Sequence, residues 1–209
     1  MIGTMETDHP STRATLLLRL REPSDQAAWR EFCDLYLTLL RGYAAVKGVE
    51  AQDVDDVVQE VAKTVVKAIR GFDYDPGKGT FRDWLFIVTR SKVAKHFRTL
   101  ARKPRSTGGT LNLRLLEEQP APEEEKHWET EYRRRMFEWA APQVQAEVRD
   151  RTWRAFWLTV VEDRPIDEVA EELGMKPGAI YVARSRVVAR LRACIARVTG
   201  EPLQPEPFV

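Results

Sequence analysis

Residues 164–198 read RPIDEVAEELGMKPGAIYVARSRVVARLRACIARV, two helical stripes separated at Gly174. Counted from Ile166, Ala170 stands fifth, Gly174 ninth and Ile180 fifteenth, with Val169, Leu173 and Ala183 also at inward positions. This is the spacing of a helix-turn-helix. The small residue lets two helices cross closely, the glycine accepts the backbone of a sharp turn, and the aliphatics fix the angle of the second helix. Pro165 and Pro177 suit early helical positions, and Asp167 and Glu168 suit the positive end of the first helix.

The second helix has sorted its charge. Lys176, Ala179, Tyr181, Val182, Arg184, Ser185 and Arg186 fall outward, and no acid lies between Glu172 and Glu201. Yet the whole chain of 209 residues carries 33 basic and 32 acidic residues, a formal net charge of +1. Solvated helices ordinarily mix signs. A one-signed face is what phosphates demand, and the N-terminal part of such a helix ordinarily faces the major groove of DNA.

The same sorting recurs upstream. Arg90, Lys92, Lys95, Arg98, Arg102, Lys103 and Arg105 lie in a stretch with no acid between Asp83 and Glu117. Phe81, Trp84, Phe86 and Phe97 are interleaved with them. Cations beside rings suit single-stranded nucleic acid, because Lys and Arg hold phosphates while rings stack on bases. The same rings also suit a helix core, and residue type leaves that choice open.

Just before this stretch, residues 71–80 read GFDYDPGKGT, which imitates a phosphate-binding loop and fails as one. Five residues separate Gly71 from Gly77, and Gly79 rather than Ser or Thr follows Lys78; the loop requires four, and a hydroxyl for magnesium. Calcium is excluded too, because a site opened by Asp73 and Asp75 needs a Glu where Trp84 stands. The stretch is a turn set by Asp75, Pro76 and Gly77. Thr80 and Asp83 then form a capping box that starts a helix through TFRDWLFIVTRSKVAKHFRTLAR.

Helical periodicity dominates elsewhere, and almost no window alternates with a period of two. A short helix is expected around Thr12 to Arg21. Trp29, Phe32, Cys33, Tyr36, Leu39 and Leu40 form a stripe that starts after Pro23-Ser24-Asp25, and Val54, Val57, Val58, Val61, Val65 and Ile69 form the next. The second of these helices opens with an acidic edge, Asp53, Asp55, Asp56 and Glu60 with Gln59 among them. Such an edge repels DNA; it is either a solvated face or a dock for a basic protein. Residues 104–122 break every periodicity and concentrate Pro, Gly and acids, as a linker does. Within them Leu111, Leu113, Leu115 and Leu116 suggest docking on a partner. Beyond, Trp128, Tyr132, Met136 and Trp139 share a face, as do Trp153, Phe156, Trp157 and Val160, and both sets read as core.

The expected fold is all-α: two small helical domains, residues 1–103 and 123–200, joined by the flexible linker and followed by a tail over 201–209. Cys33 and Cys194 sit on apolar faces without a Cys-x-x-Cys pattern, so they read as free buried thiols. His9, His96 and His127 are scattered and propose no zinc site. No catalytic residues, metal or cofactor are expected. The start of the chain lacks a secretory apolar run and nothing approaches a membrane span, so the expected location is cytoplasmic, without membrane insertion.

The order of these features, DVDDVVQE at 53–60, FDYDPGKGTFRDWL at 72–85, a basic helix, a linker and a helix-turn-helix, resembles the sigma-70 family of bacterial RNA polymerase sigma factors. The two-domain format resembles its extracytoplasmic-function (ECF) group. The resemblance implies that Asp53, Asp55, Asp56, Gln59 and Glu60 bind core RNA polymerase on a coiled coil of its largest subunit. It implies that Asp73, Tyr74, Lys78, Phe81, Trp84, Arg90, Ser91, Lys92, Lys95 and Arg98 meet the minus-ten promoter element, where one base flips from the non-template strand into a pocket. It gives Lys176, Ala179, Tyr181, Val182, Arg184, Ser185 and Arg186 the minus-thirty-five element. The C-terminal domain would rest on the polymerase flap, residues 111–116 would thread toward the RNA exit channel, and an anti-sigma factor is a candidate regulator. Ser91 replaces the family's usual Asn, Lys95 a common Asp, and Tyr181 and Val182 commoner polar residues. The rival readings are a stand-alone helix-turn-helix regulator and an NTPase built on GFDYDPGKGT.

Overall fold

The computed structural model describes residues 16–71, 80–102 and 120–199. Every regular element among them is helical: α1 (Leu16–Arg19), α2 (Gln26–Val46), α3 (Ala51–Ala68) with a 3-10 turn at Ile69–Gly71, α4 (Phe81–Ala101), α5 (Pro122–Glu147), α6 (Asp150–Phe156), a π-helical turn at Trp157–Val161, α7 (Ile166–Leu173) and α8 (Pro177–Thr199). The all-α expectation holds. The turn at 72–79 and the stretch 103–119, with the Asp73, Tyr74, Lys78 and Leu111–Leu116 assignments, lie outside the described residues, as does His9.

Local chemistry sets the starts of the helices. Asp25 caps α2 by accepting the Ala28 N–H at 2.8 Å, and Arg19 grips the same carboxylate at 3.0 Å. The Arg19 bond, more than any other contact, holds the Asp25 carboxyl below its ordinary range. At α4 the expected capping box is complete: Thr80 Oγ1 accepts the Asp83 N–H at 3.1 Å, and Asp83 Oδ2 accepts the Thr80 N–H at 3.0 Å. Two of the amides that a helix start leaves without intrahelical partners are thereby satisfied.

Helices α2, α3 and α4 pack through Phe32, Tyr36 and Leu40, through Val57, Val61 and Val65, and through Phe81, Leu85, Val93 and Phe97, all buried. Cys33 is half-buried and Cys194 buried; burial pushes both free thiols up. Composition does not disclose that the halves on either side of the 104–122 stretch share a core. Trp128, Tyr132, Met136, Ala140 and Val144 recur every fourth residue along α5 and are all buried. The first part of that stripe packs on the N-terminal half: Trp128 lies edge-on to Tyr43 at 5.5 Å and 5.3 Å from Phe86, and Tyr132 is 6.4 Å from Tyr36. Helix α5 also packs against α8. One continuous apolar cluster therefore runs from α2 through α5 to α8, and a small second one, Ala155, Val169, Ala170, Ile180 and Ala183, holds α7 on α8.

Candidate polymerase and nucleic-acid interfaces

On α4, Trp84, Ile87, Ser91, Lys95 and Arg98 recur at three- and four-residue intervals and so share one face. Ile87, Ser91, Lys95 and Arg98 are exposed, Ile87 at 63%. Trp84 is half-buried, its ring 5.4 Å from Phe81. Lys92 and Arg90 are half-buried on opposite flanks of this face.

The aromatics divide cleanly. Phe81 is 1% exposed, 5.7 Å from Tyr36 and 6.4 Å from Phe32, so in this arrangement it seats the start of α4 and cannot reach a base. Phe86 and Phe97 are also core. Trp84, Val88 and Leu100 are half-buried, and Ile87 is the large apolar side chain of α4 that is exposed.

Helix α3 carries the acidic edge beside α4, and side chains of the same chain hold much of it. Asp55 Oδ1 accepts from Arg41 Nε at 2.8 Å, Glu60 pairs with Lys63 at 2.8 Å, and Asp53 Oδ2 lies 3.7 Å from His96 Nε2 of α4. The Lys63 bond draws the Glu60 carboxyl below its ordinary range. Asp56 and Gln59 are exposed. Solvent screens the exposed Arg41–Asp55 and Lys63–Glu60 pairs, so a basic partner can displace them at little cost.

In the C-terminal half, Gly174 ends α7 in the left-handed region, at φ 57° and ψ 41°. Its N–H donates to Glu171 O at 3.0 Å and the Met175 N–H to Ala170 O at 2.8 Å. A side chain at this φ costs about 1–2 kcal/mol, which is why the turn takes glycine. Val169, Ala170, Ile180 and Ala183 are buried as the spacing predicts, and Leu173 is half-buried. Along the opposite side Lys176, Ala179, Tyr181, Val182, Ser185 and Arg186 are exposed, Tyr181 and Val182 each at 57%, and Arg184 is half-buried.

Other contacts at these surfaces were not readable from the sequence. Arg151 of α6 donates to the carbonyls of both Leu173 and Gly174, tying down the turn from outside it. Arg154 and Arg164 both reach Glu172, at 3.0 and 2.8 Å. At the first turn of α5, Glu124 gathers three partners, from the end of α2, its C-cap and α4: it accepts from Tyr43 Oη at 2.5 Å and lies 2.9 Å from Lys47 Nζ and 3.4 Å from Arg90 Nε. Burial pushes its carboxyl up, but the Tyr43 and Lys47 bonds and the Lys47 and Arg90 charges outweigh burial, and it ends below its ordinary range. One turn on, Glu129 lies 2.8 Å from Arg82 Nη1. The run Glu123-Glu124-Glu125 signals a helix start with favourable charge, and nothing in it names a distant partner.

No described helix is long and apolar enough to cross a membrane. The sigma-70 region 2 family model matches residues 32–103, the stretch that holds α3 and α4. The ECF RNA polymerase sigma factor ShbA of Streptomyces griseus subsp. griseus is 30% identical over 144 residues, which cover 67% of this chain and 70% of that protein. With its acidic α3 edge, acid-free α4 face and glycine-turned helix pair, this chain therefore belongs to the sigma-70 family of RNA polymerase sigma factors, in the ECF group.

Proposed function

We propose that this protein directs core RNA polymerase to specific promoters and helps open them, without chemistry of its own. Asp56 and Gln59 dock on the polymerase with Asp53, Asp55 and Glu60 around them, the last three exchanging their intramolecular partners for the polymerase's cations. The α4 face meets the minus-ten element: Lys95 and Arg98 hold the non-template backbone, Trp84 supports unstacked bases, and Ser91 lines the place where a base is accepted. Phe81 contributes by seating the helix. Lys176, Ala179, Tyr181, Val182, Arg184, Ser185 and Arg186 read the minus-thirty-five element. Residues 1–103 and 123–200 act as the two functional units and 104–122 as their connection.

The observation that carries this reading is the division of charge between two neighbouring helices. The acids of α3 and the bases of α4 meet along a shared edge, where Glu60 feels the Lys95 and Lys92 charges and Asp53 lies 3.7 Å from His96, so one small unit offers an acidic surface to a protein beside a basic one for a nucleic acid. Each base held unstacked on the α4 face gains about 1–3 kcal/mol of stacking, enough to tip a marginal melting equilibrium.

Replacing Arg184 or Arg186 with alanine is expected to weaken initiation from promoters that depend on the upstream element. A lost phosphate contact lowers affinity across sequences and reduces the salt slope by about one, whereas a lost base contact costs about 1–3 kcal/mol and relaxes preference at one position. Transcription of a promoter set varied at the upstream element separates the two. Unchanged start-site selection and affinity in both variants would remove α8 from the DNA.

A further inference from the structure

Near the start of α8 one apolar side chain stands on the crest of the helix. Val182 is 57% exposed, and its neighbours one turn away on either side, Gly178, Ala179, Ser185 and Arg186, are all exposed as well. It points away from Ile180, Ala183 and Val187, which are buried. Tyr181 is equally exposed but lies to one side, with the half-buried Arg184 one turn on.

Nothing inside the protein accounts for this crest. A β-branched side chain loses rotamer freedom in a helix and is offset by packing, which an exposed position does not supply. Gly178 is in the same position: no atom lies within 4 Å of where its side chain would begin, so internal packing leaves room for a larger residue, yet glycine stands there and alanine follows. A surface that approaches α8 from outside therefore meets bare helix at 178–179 and an apolar knob at Val182.

That surface is anionic and carries an apolar group. Lys176, Arg184 and Arg186 surround the knob, and no acid lies between Glu172 and Glu201, which suits a phosphate backbone. The major groove of DNA presents one apolar group among its donors and acceptors, the C5-methyl of thymine. A valine packed on that methyl gains buried area, whereas a donor or acceptor set against it loses water without gaining a partner. The side chain thus favours thymine and disfavours the other bases at the position it meets.

Resting on the reading of α8 as the helix that meets the minus-thirty-five element, we propose that Val182 is a specificity-determining residue that selects a thymine there by packing on its C5-methyl group, with Gly178 and Ala179 admitting the helix deeply enough for contact.

The test uses holoenzyme assembled from the full-length protein and core RNA polymerase, on a promoter recovered from a library randomised over the upstream element. Each thymine of that element, on either strand, is replaced singly by deoxyuridine, which lacks only the methyl. At one position the parent's affinity should fall about four-fold, the loss of one buried methyl. Val182→Ala should bind the thymine template about four-fold more weakly than the parent does and should no longer distinguish it from the deoxyuridine template. Arg186→Ala should bind more weakly than the parent on both templates and keep the difference between them. Insensitivity of the parent to every deoxyuridine, with Arg186→Ala still weakened, overturns the thymine assignment and leaves α8 on the DNA. A methyl effect that persists in full in Val182→Ala overturns it as well, because another side chain then reads the methyl. Recovery of no promoter, or full affinity in Arg184→Ala with Arg186→Ala, overturns the proposal through the reading of α8 beneath it.

Discussion

Asp56→Lys is expected to lower the affinity for core RNA polymerase by about thirty-fold or more, with DNA contacts and fold intact. Asp56 is exposed on α3 beside Gln59. Asp53, Asp55 and Glu60, by contrast, already have His96, Arg41 and Lys63 beside them. Reversing the charge replaces an attraction with a like-charge contact, a change worth several kcal/mol at an interface. The fold should tolerate it, since Asp56 lies beyond the first turn of α3, where a helix end most favours acids. Titration of labelled protein with core polymerase reads the loss, and thermal unfolding serves as the control. Equal affinity in variant and parent would show that α3 is a merely solvated edge.

Lys95→Glu with Arg98→Glu is expected to depress promoter opening more than ten-fold at physiological salt while polymerase binding stays unchanged. Both side chains are exposed on the acid-free face of α4, where each cation held by a phosphate releases counterions. Removing two such contacts should reduce the salt slope of binding by about two, and the added negative charges repel the strand besides. Permanganate reactivity of unpaired thymines measures opening directly. Normal opening by a variant that still assembles with polymerase would move the melting surface off α4.

These two surfaces were legible in the sequence because each is written locally. A capping box occupies four consecutive residues, Thr80 to Asp83, and a helix face repeats every three or four. The turn at Gly174 is fixed by residues within one turn on either side of it. What stayed hidden is long-range or depends on packing. Phe81 and Trp84 are both aromatic on the first turn of α4, and only the positions of Phe32 and Tyr36 decide that the first is core. Tyr43 and Glu124 are separated by 81 positions, and no periodicity encodes such a closure. The clamp of Arg151 on the Gly174 turn and the π-helical turn at Trp157–Val161 belong to the same class, being set by how α6 meets its neighbours. Residues 72–79, to which the resemblance gives part of the minus-ten contact, lie outside the described residues, so Ser91, at the exposed edge of α4, is a described residue from which that specificity can be probed.

This chain is expected to give polymerase its choice of promoter. Purified full-length protein, mixed with core RNA polymerase on a library of randomised promoters and read by sequencing of the transcripts, tests it most directly. Initiation is expected at a shared motif of two spaced elements, present with the protein and absent without it. Transcripts that start without a common upstream motif, or at the same positions with core enzyme alone, would contradict it.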